Sequence, residues 1–233
     1  MPRKLIKLIE MHKKFHYIWG AVLLLLFLIL AVMVRQKFQN GPLVLNSFIS
    51  DTAVQQRVFS LRTPSVSEAG KIIHLLFGPK YGYFLAAACL ILILIFKKSN
   101  RWISALYLLL ITGFCTLINP EIKKLIGRAR PAGRWLVSES GPSFPSGHSI
   151  MAAALIGGLF FILASSLKNH FIQVLLGIMA ALLILCVMAS RVYLGVHYPS
   201  DTIGSLLLAF ALLHLSYPLF YKFSHTKRTR HPK

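Results

Sequence analysis

Only six acidic residues stand against 26 lysines and arginines in this 233-residue chain, and there are only three cysteines. The shortage of Asp and Glu leaves none of the carboxylate clusters on which a two-metal hydrolase depends, and no cofactor is expected. Cys89, Cys115 and Cys186 fall inside apolar stretches at no metal-ligand spacing, which predicts small buried hydrophobes rather than ligands. Repeats of fixed period and low-complexity tracts are also missing, and a single domain over residues 1–233 is expected. The most informative absence is of charge over long stretches. Six runs contain no Lys, Arg, Asp or Glu at all.

Those runs are Tyr17 to Val34, Tyr81 to Phe96, Trp102 to Ile118, Ser149 to Leu167, Phe171 to Ser190 and Thr202 to Tyr221. Each approaches the about 20 helical residues that cross a hydrocarbon core of roughly 30 Å. With 56% hydrophobic residues and a mean hydropathy of +0.66, the chain is far more apolar than a soluble domain of its length. In lipid every backbone polar group must be satisfied within its own segment, and apolar residues distributed all round each run fit helices rather than barrel strands. The fold class is all-α: a polytopic membrane protein with a bundle of six transmembrane helices. The first run is too long for a signal-peptide core and has no A-x-A-like site after it, so it is expected to stay as a signal anchor.

A formal charge of +20 would point to nucleic acid in a soluble protein, but here its placement follows membrane topology and no nucleic-acid partner is expected. Basic residues crowd an N-terminal arm (1–16), the short connection holding Lys97, Lys98 and Arg101, and a tail (222–233). With six spans these segments share one side, which the positive-inside rule makes the cytoplasm. The localisation expected is therefore a cell membrane, multi-pass, with both termini cytoplasmic. The longest external connection, residues 35–80, has Val54, Val58 and Leu61 at helical spacing, with Asn46, Ser50 and Asp51 as capping candidates and Pro64 beyond. This pattern predicts one helix lying in the interface, covering the mouth of the bundle or gating lipid access.

Three polar segments then fall on the external side: Lys123 to Arg134 after the third span, Pro145-Ser146-Gly147-His148 opening the fourth, and Ser190-Arg191 with His197 and Asp201 between the fifth and sixth. A phosphate ester requires cations for its oxygens, an aligned nucleophile and a proton for the leaving oxygen. Lys123, Arg130 and Arg191 supply cations, and guanidinium forks match phosphate oxygens. Ser146 and Gly147 sit where the fourth helix should begin, so backbone N–H groups and the positive dipole end can face the same anion. Two histidines at the membrane surface suit a nucleophile and a general acid, and Asp201, four residues after His197, can fix a tautomer.

The same residues carry a resemblance. Lys123-KLIGRA-Arg130-Pro131, Pro145-Ser146-Gly147-His148 and Ser190-Arg191-VYLGV-His197-YPS-Asp201 match, in order and spacing, the three-part signature of the type 2 phosphatidic acid phosphatase (PAP2) family, which also includes vanadium haloperoxidases. The resemblance implies that His197 attacks phosphorus to give a phosphohistidine, that Asp201 orients it and that His148 protonates the leaving group. It implies further that Lys123, Arg130, Ser146, Gly147 and Arg191 bind the phosphoryl oxygens without a metal. Arg128 lies outside the strict signature and is expected as an auxiliary contact; Pro131, Pro145 and Ser190 complete the motifs.

The implied activity is metal-independent hydrolysis of a lipid phosphate or pyrophosphate at the outer face of a bacterial-type cytoplasmic membrane, the partners being a membrane lipid phosphate and the bilayer itself. Undecaprenyl pyrophosphate is the first substrate expected, with phosphatidylglycerophosphate or phosphatidate as the alternative. A vanadate-dependent haloperoxidase and a non-catalytic lipid-phosphate binding or transport protein are the rival classes. Nothing in the sequence fixes an oligomeric state. His214, inside the sixth span, has two readings, an intramembrane functional group or a neutral packing residue.

Overall fold

The computed structural model describes residues 3–40 and 51–226. It is all-helical among the described residues: α1 (Arg3–Asn40), α2 (Asp51–Ser60), α3 (Pro64–Phe77), α4 (Pro79–Phe96), α5 (Arg101–Ile126), α6 (Gly147–Ala164), α7 (His170–Tyr193) and α8 (Pro199–Thr226). Six of these, α1 and α4 to α8, are long and apolar enough to cross a membrane. Large apolar side chains such as Phe84, Leu117, Phe171 and Leu183 point outward and exposed, as they must if lipid is the solvent.

Helix α6 is the axis of the bundle. It packs against α5, α7 and α8, and its Ala152, Ala153, Ala154 and Ile162 are fully buried. Small residues permit this: a Cβ on Gly157 would lie 2.7 Å from Leu213 Cδ1, and one on Gly158 would lie 2.9 Å from Leu108 Cδ1. Between lipid-embedded helices attraction comes from such close packing, because lipid tails offer no hydrophobic drive to association. The longest pairing joins α1 to α8. There His16 Nδ1 meets His214 Nδ1 at 3.0 Å, with Phe161 and Tyr217 against the rings. His214 thus pairs with His16 inside an aromatic cluster.

The two ends of the bundle differ. At one end Lys97 Nζ donates to Ser166 Oγ at 2.8 Å and Asn100 Nδ2 donates to the Ser224 carbonyl, which brings the α4–α5 turn, the α6–α7 turn and the end of α8 together. At the other end α5 finishes, α6 begins and α7 turns into α8, under the cover of α2 and α3.

Four sequence expectations change. The basic arm 1–16 is not separate from the first span, because helix α1 runs unbroken from Arg3. Among its described residues the connection 35–80 holds two helices, α2 and α3, rather than one: Thr63 caps α3 and Pro64 occupies its first turn, where the missing N–H costs nothing. Proline therefore starts a helix here instead of ending one. Asn46 and Ser50 lie outside the described residues, as do Lys227, Arg228, Arg230 and Lys233 of the tail. Helix α5 continues past Pro120 to Gly127, whose left-handed φ of 68° lets its N–H reach the Lys123 carbonyl, so Lys123 is on a helix and not in a loop. Of the cysteines, Cys115 is buried, Cys89 half-buried and Cys186 exposed on the outer face of α7, where lipid rather than protein surrounds it.

Candidate active site

The last turn of α5 brings Lys123, the connection after it brings Arg128, Arg130 and Glu139, and the first turn of α6 brings Gly147 and His148. The end of α7 adds Arg191, the α7–α8 connection His197, and the first turn of α8 Asp201. Ser146 caps α6, its Oγ accepting from Ser149 N at 3.4 Å. All three sequence motifs thus converge at one end of the bundle.

His197 is 1% exposed and separates two charged groups of opposite design. Behind it, Nδ1 lies 3.2 Å from Asp201 Oδ2, which also accepts from Tyr198 N at 2.9 Å. Arg128 Nη1 donates to Asp201 Oδ1 at 2.5 Å and to Ser200 Oγ at 2.7 Å, while Nη2 donates to Asp51 Oδ2 at 2.7 Å. Asp51, the first residue of α2, also accepts from Ser200 N at 3.0 Å and from Ser200 Oγ at 2.6 Å. Burial works against the Arg128 charge, but Asp201 and Asp51 more than offset it and hold the guanidinium above its ordinary pKa. The Asp201 carboxylate can serve only as acceptor toward Nδ1–H, which leaves Nε2 as the ring nitrogen that carries the lone pair.

In front, Arg130 Nη1 lies 3.2 Å from that Nε2. The same Nη1 donates to the Val196 carbonyl, and Nε and Nη2 donate to the Gly141 and Ser140 carbonyls, at 3.0 Å each. Lys123 Nζ donates to the Pro142 carbonyl at 2.5 Å. Glu139 reaches into this cation group: Oε1 is 2.9 Å from Arg191 Nη2 and 3.6 Å from His148 Nδ1, and Oε2 is 3.4 Å from Arg130 Nη2. His74, from the end of α3, stacks on His148 with centroids 4.8 Å apart and lies 3.0 Å from Arg191 Nη1. Burial pushes the His197 imidazole down to about 3, with Arg191 and Arg130 acting the same way and Asp201 opposing. His74 is likewise held below its ordinary value, by burial and by Arg191. Both rings are neutral at neutral pH. A cavity of about 310 Å³ opens before these groups, with Lys123, Arg130, Gly147, His148 and His197 in its wall. His148 Nε2 and Arg191 Nε have no partner among the described residues.

His74, Glu139 and His148 also bring three potential metal-ligand atoms within 4.8 Å of one another. Arg191 contacts two of the three, and Arg130 shares the carboxylate. A cation there would face two guanidinium groups, so the electrostatics favour an anion.

Most sequence-predicted residues meet here. Arg128 does not face the cavity as an auxiliary phosphate contact; it stands behind Asp201. The Ser146 N–H is not free, because it donates to the Asp201 carbonyl at 3.2 Å, and with Ser149 N and Ile150 N bonded to Ser146 the N–H groups of Gly147 and His148 are the ones left for an anion. Ser190 Oγ folds back on the Val187 carbonyl at 2.7 Å, Pro131 is buried with its carbonyl bonded to Trp135 Nε1 at 2.7 Å, and Pro145 follows Phe144 through a cis bond. His74 and Glu139 have no place in the sequence analysis, and Asp51 stands there only as a capping candidate, without its contact to Arg128. The scarcity of acids was a usable signal: Asp51, Glu139 and Asp201 are three of only six.

The fold and the site together define a membrane-spanning helical bundle that presents a buried histidine and a cluster of cations to an anion. The chain belongs to the PAP2 superfamily, whose profile matches residues 101–225. It is 32% identical over 199 residues to the phosphatidylglycerophosphatase B of Bacillus subtilis (strain 168), a match covering 83% of this chain and 90% of that one. The crystal structure of a transmembrane PAP2-type phosphatidylglycerolphosphate phosphatase from Bacillus subtilis superimposes with a TM-score of 0.73 at 28% identity, over 91% of this chain and 98% of that chain. Aquifex aeolicus LpxE shares the fold, with a TM-score of 0.55 at 20% identity, over 78% of this chain and 99% of that chain.

Proposed function

We propose that this PAP2 membrane phosphatase hydrolyses the phosphate monoester of phosphatidylglycerophosphate through a phosphohistidine on His197. The relatives favour this substrate over undecaprenyl pyrophosphate, the one the sequence put first. The observation that carries the mechanism is the seating of His197, with Nδ1 3.2 Å from the Asp201 carboxylate and Nε2 turned to Arg130 in the wall of the cavity that Lys123 also lines.

In this reading the phosphoryl group displaces the Glu139 carboxylate and takes over its contacts with Arg130, Arg191 and the start of α6. Nε2 attacks phosphorus in line, the bond from phosphorus to the lipid oxygen breaks, and His148 gives that oxygen its proton. The positive charge gained by the His197 ring is met by Asp201. Water then attacks the phosphohistidine with His148 taking a proton, and inorganic phosphate leaves. Every residue in these steps belongs to this chain, and no step calls for a metal. Basic residues at the opposite end of the bundle, among them Lys13, Lys14, Lys97, Lys98 and Lys222, support an extracytoplasmic site with cytoplasmic termini.

Six apolar spans oppose a haloperoxidase. The charged groups cluster at one mouth rather than at the midplane, which opposes a transporter. The test is phosphate release from a panel of lipid phosphates in detergent with chelator present, comparing the wild type with His197→Ala and His148→Ala. Both variants are expected to lose at least about 10³-fold in kcat. Absence of release from every lipid by the wild type would sink the proposal.

A further inference from the structure

Asn119 has no place in the chemistry above, yet it lines the same cavity. It is 4% exposed, and neither its Nδ2 nor its Oδ1 has a hydrogen-bond partner among the described residues. Polar atoms buried without partners bear their full desolvation cost, so an amide kept that way in a cavity wall is explained by a ligand that completes it. Its neighbourhood has the same character. Pro120 has no N–H to offer the Thr116 carbonyl one turn back, and Thr116 is also in the cavity wall.

Position says which part of a ligand meets this amide. Asn119 precedes Lys123 by four residues on α5, so it lies on the same face about one turn, roughly 6 Å, further into the bundle. Across the cavity Gly147 opens α6, and a Cβ there would lie 3.7 Å from Asn119 Nδ2. Further in, Tyr83, Ile150 and Met151 make the wall apolar. A lipid phosphate seated with its phosphoryl group at Lys123 and its chains toward the bundle interior therefore passes its first few leaving-group atoms beside Asn119.

We infer that Asn119 is a specificity-determining residue that recognises a hydroxyl or other uncharged polar oxygen of the leaving group, a few bonds from the phosphoryl group, and so selects glycerol-linked lipid phosphates over polyprenyl phosphates. The inference rests on the phosphatase reading and adds the chemistry of the leaving group to it. An uncharged amide both donates and accepts, which matches a hydroxyl, whereas a hydrocarbon beside it leaves both atoms unpaired. A site built to hydrogen-bond a substrate oxygen discriminates strongly against an analogue that lacks it.

The experiment measures kcat/KM of the wild type, Asn119→Leu and Asn119→Ser on three substrates in detergent: phosphatidylglycerophosphate, a polyprenyl phosphate, and water-soluble p-nitrophenyl phosphate, which reports the phosphoryl site alone. For Asn119→Leu, a loss of about 10-fold or more on the glycerol-linked lipid is expected, with changes under about 2-fold on the other two. Asn119→Ser, which keeps a short hydroxyl, should fall between. Equal losses on all three substrates would overturn the inference and make Asn119 structural; so would unchanged activity on the glycerol-linked lipid, or a loss confined to the polyprenyl phosphate. Absence of lipid phosphatase activity in the wild type would instead remove the reading beneath it.

Discussion

The two faces of His197 are built from the same residue types to opposite effect. Behind the ring, one arginine stands between two carboxylates, every oxygen of Asp201 and Asp51 is bonded, and the group is closed to solvent. In front, Arg130 and Arg191 share the single carboxylate of Glu139, Lys123 adds a third cation held by backbone carbonyls, and the group borders a cavity. The closed face carries a net negative charge that suits the imidazolium-like ring of an intermediate. The open face carries a net positive charge that matches a phosphate dianion. On the proposed mechanism charge balance, more than the count of ion pairs, separates the part that orients the nucleophile from the part that receives substrate.

The comparison is broken most severely at its centre. Arg128→Met should leave Asp51 and Asp201 as buried carboxylates without a counter-charge, costing about 3–5 kcal/mol of stability, and should lower kcat by at least about 10²-fold. Thermal denaturation in detergent, together with phosphate release, measures both. Retention of wild-type kcat would show that the closed face does not orient His197.

Replacing Glu139 sharpens the contrast from the other side. Glu139→Gln removes the resident anion while keeping its size, and orthovanadate or inorganic phosphate should then inhibit about 3- to 10-fold more tightly. Weaker inhibition would mean that the carboxylate organises the cation cluster instead of competing with substrate for it.

The same contrast is tested a third way by pH dependence. His197 takes its proton at about 3 in the folded chain and near the ordinary 6.5 when unfolded. Between those values the unfolded chain binds the extra proton, so the stability associated with His197 is complete above about pH 6.5 and is lost progressively as pH falls toward 3. Lowering pH from 7 to 4.5 should therefore destabilise the wild type by on the order of 2 kcal/mol more than His197→Asn, measured by thermal denaturation in detergent. An identical pH response in the two proteins would contradict the burial of a neutral ring.

Legibility in the sequence followed range of interaction. The spans were readable because membrane burial acts on each segment separately, and the chain shows them as stretches without charge. Lys123, Arg130, His148, Arg191, His197 and Asp201 were readable because their spacings place them at helix ends on one side of the bundle. The sequence predicts a single interfacial helix because proline commonly follows a helix end, whereas Pro64 sits in a first turn, where proline is equally at home.

The sequence by itself therefore determined an all-helical membrane bundle, the end at which its chemistry lies, and the histidine pair with its signature cations. Those properties come from local spacing and from the solvation demands of single segments. Only the tertiary structure decided that Asp51 grips Arg128 across 77 residues, that Glu139 occupies the cation cluster beside Arg191, that His214 meets His16 across 198 residues, and that Asn119 faces a cavity unpaired. Such pairings depend on which faces of distant helices come together. Packing fixes those faces through close contacts such as Gly157 on Leu213, and spacing along the chain does not encode them.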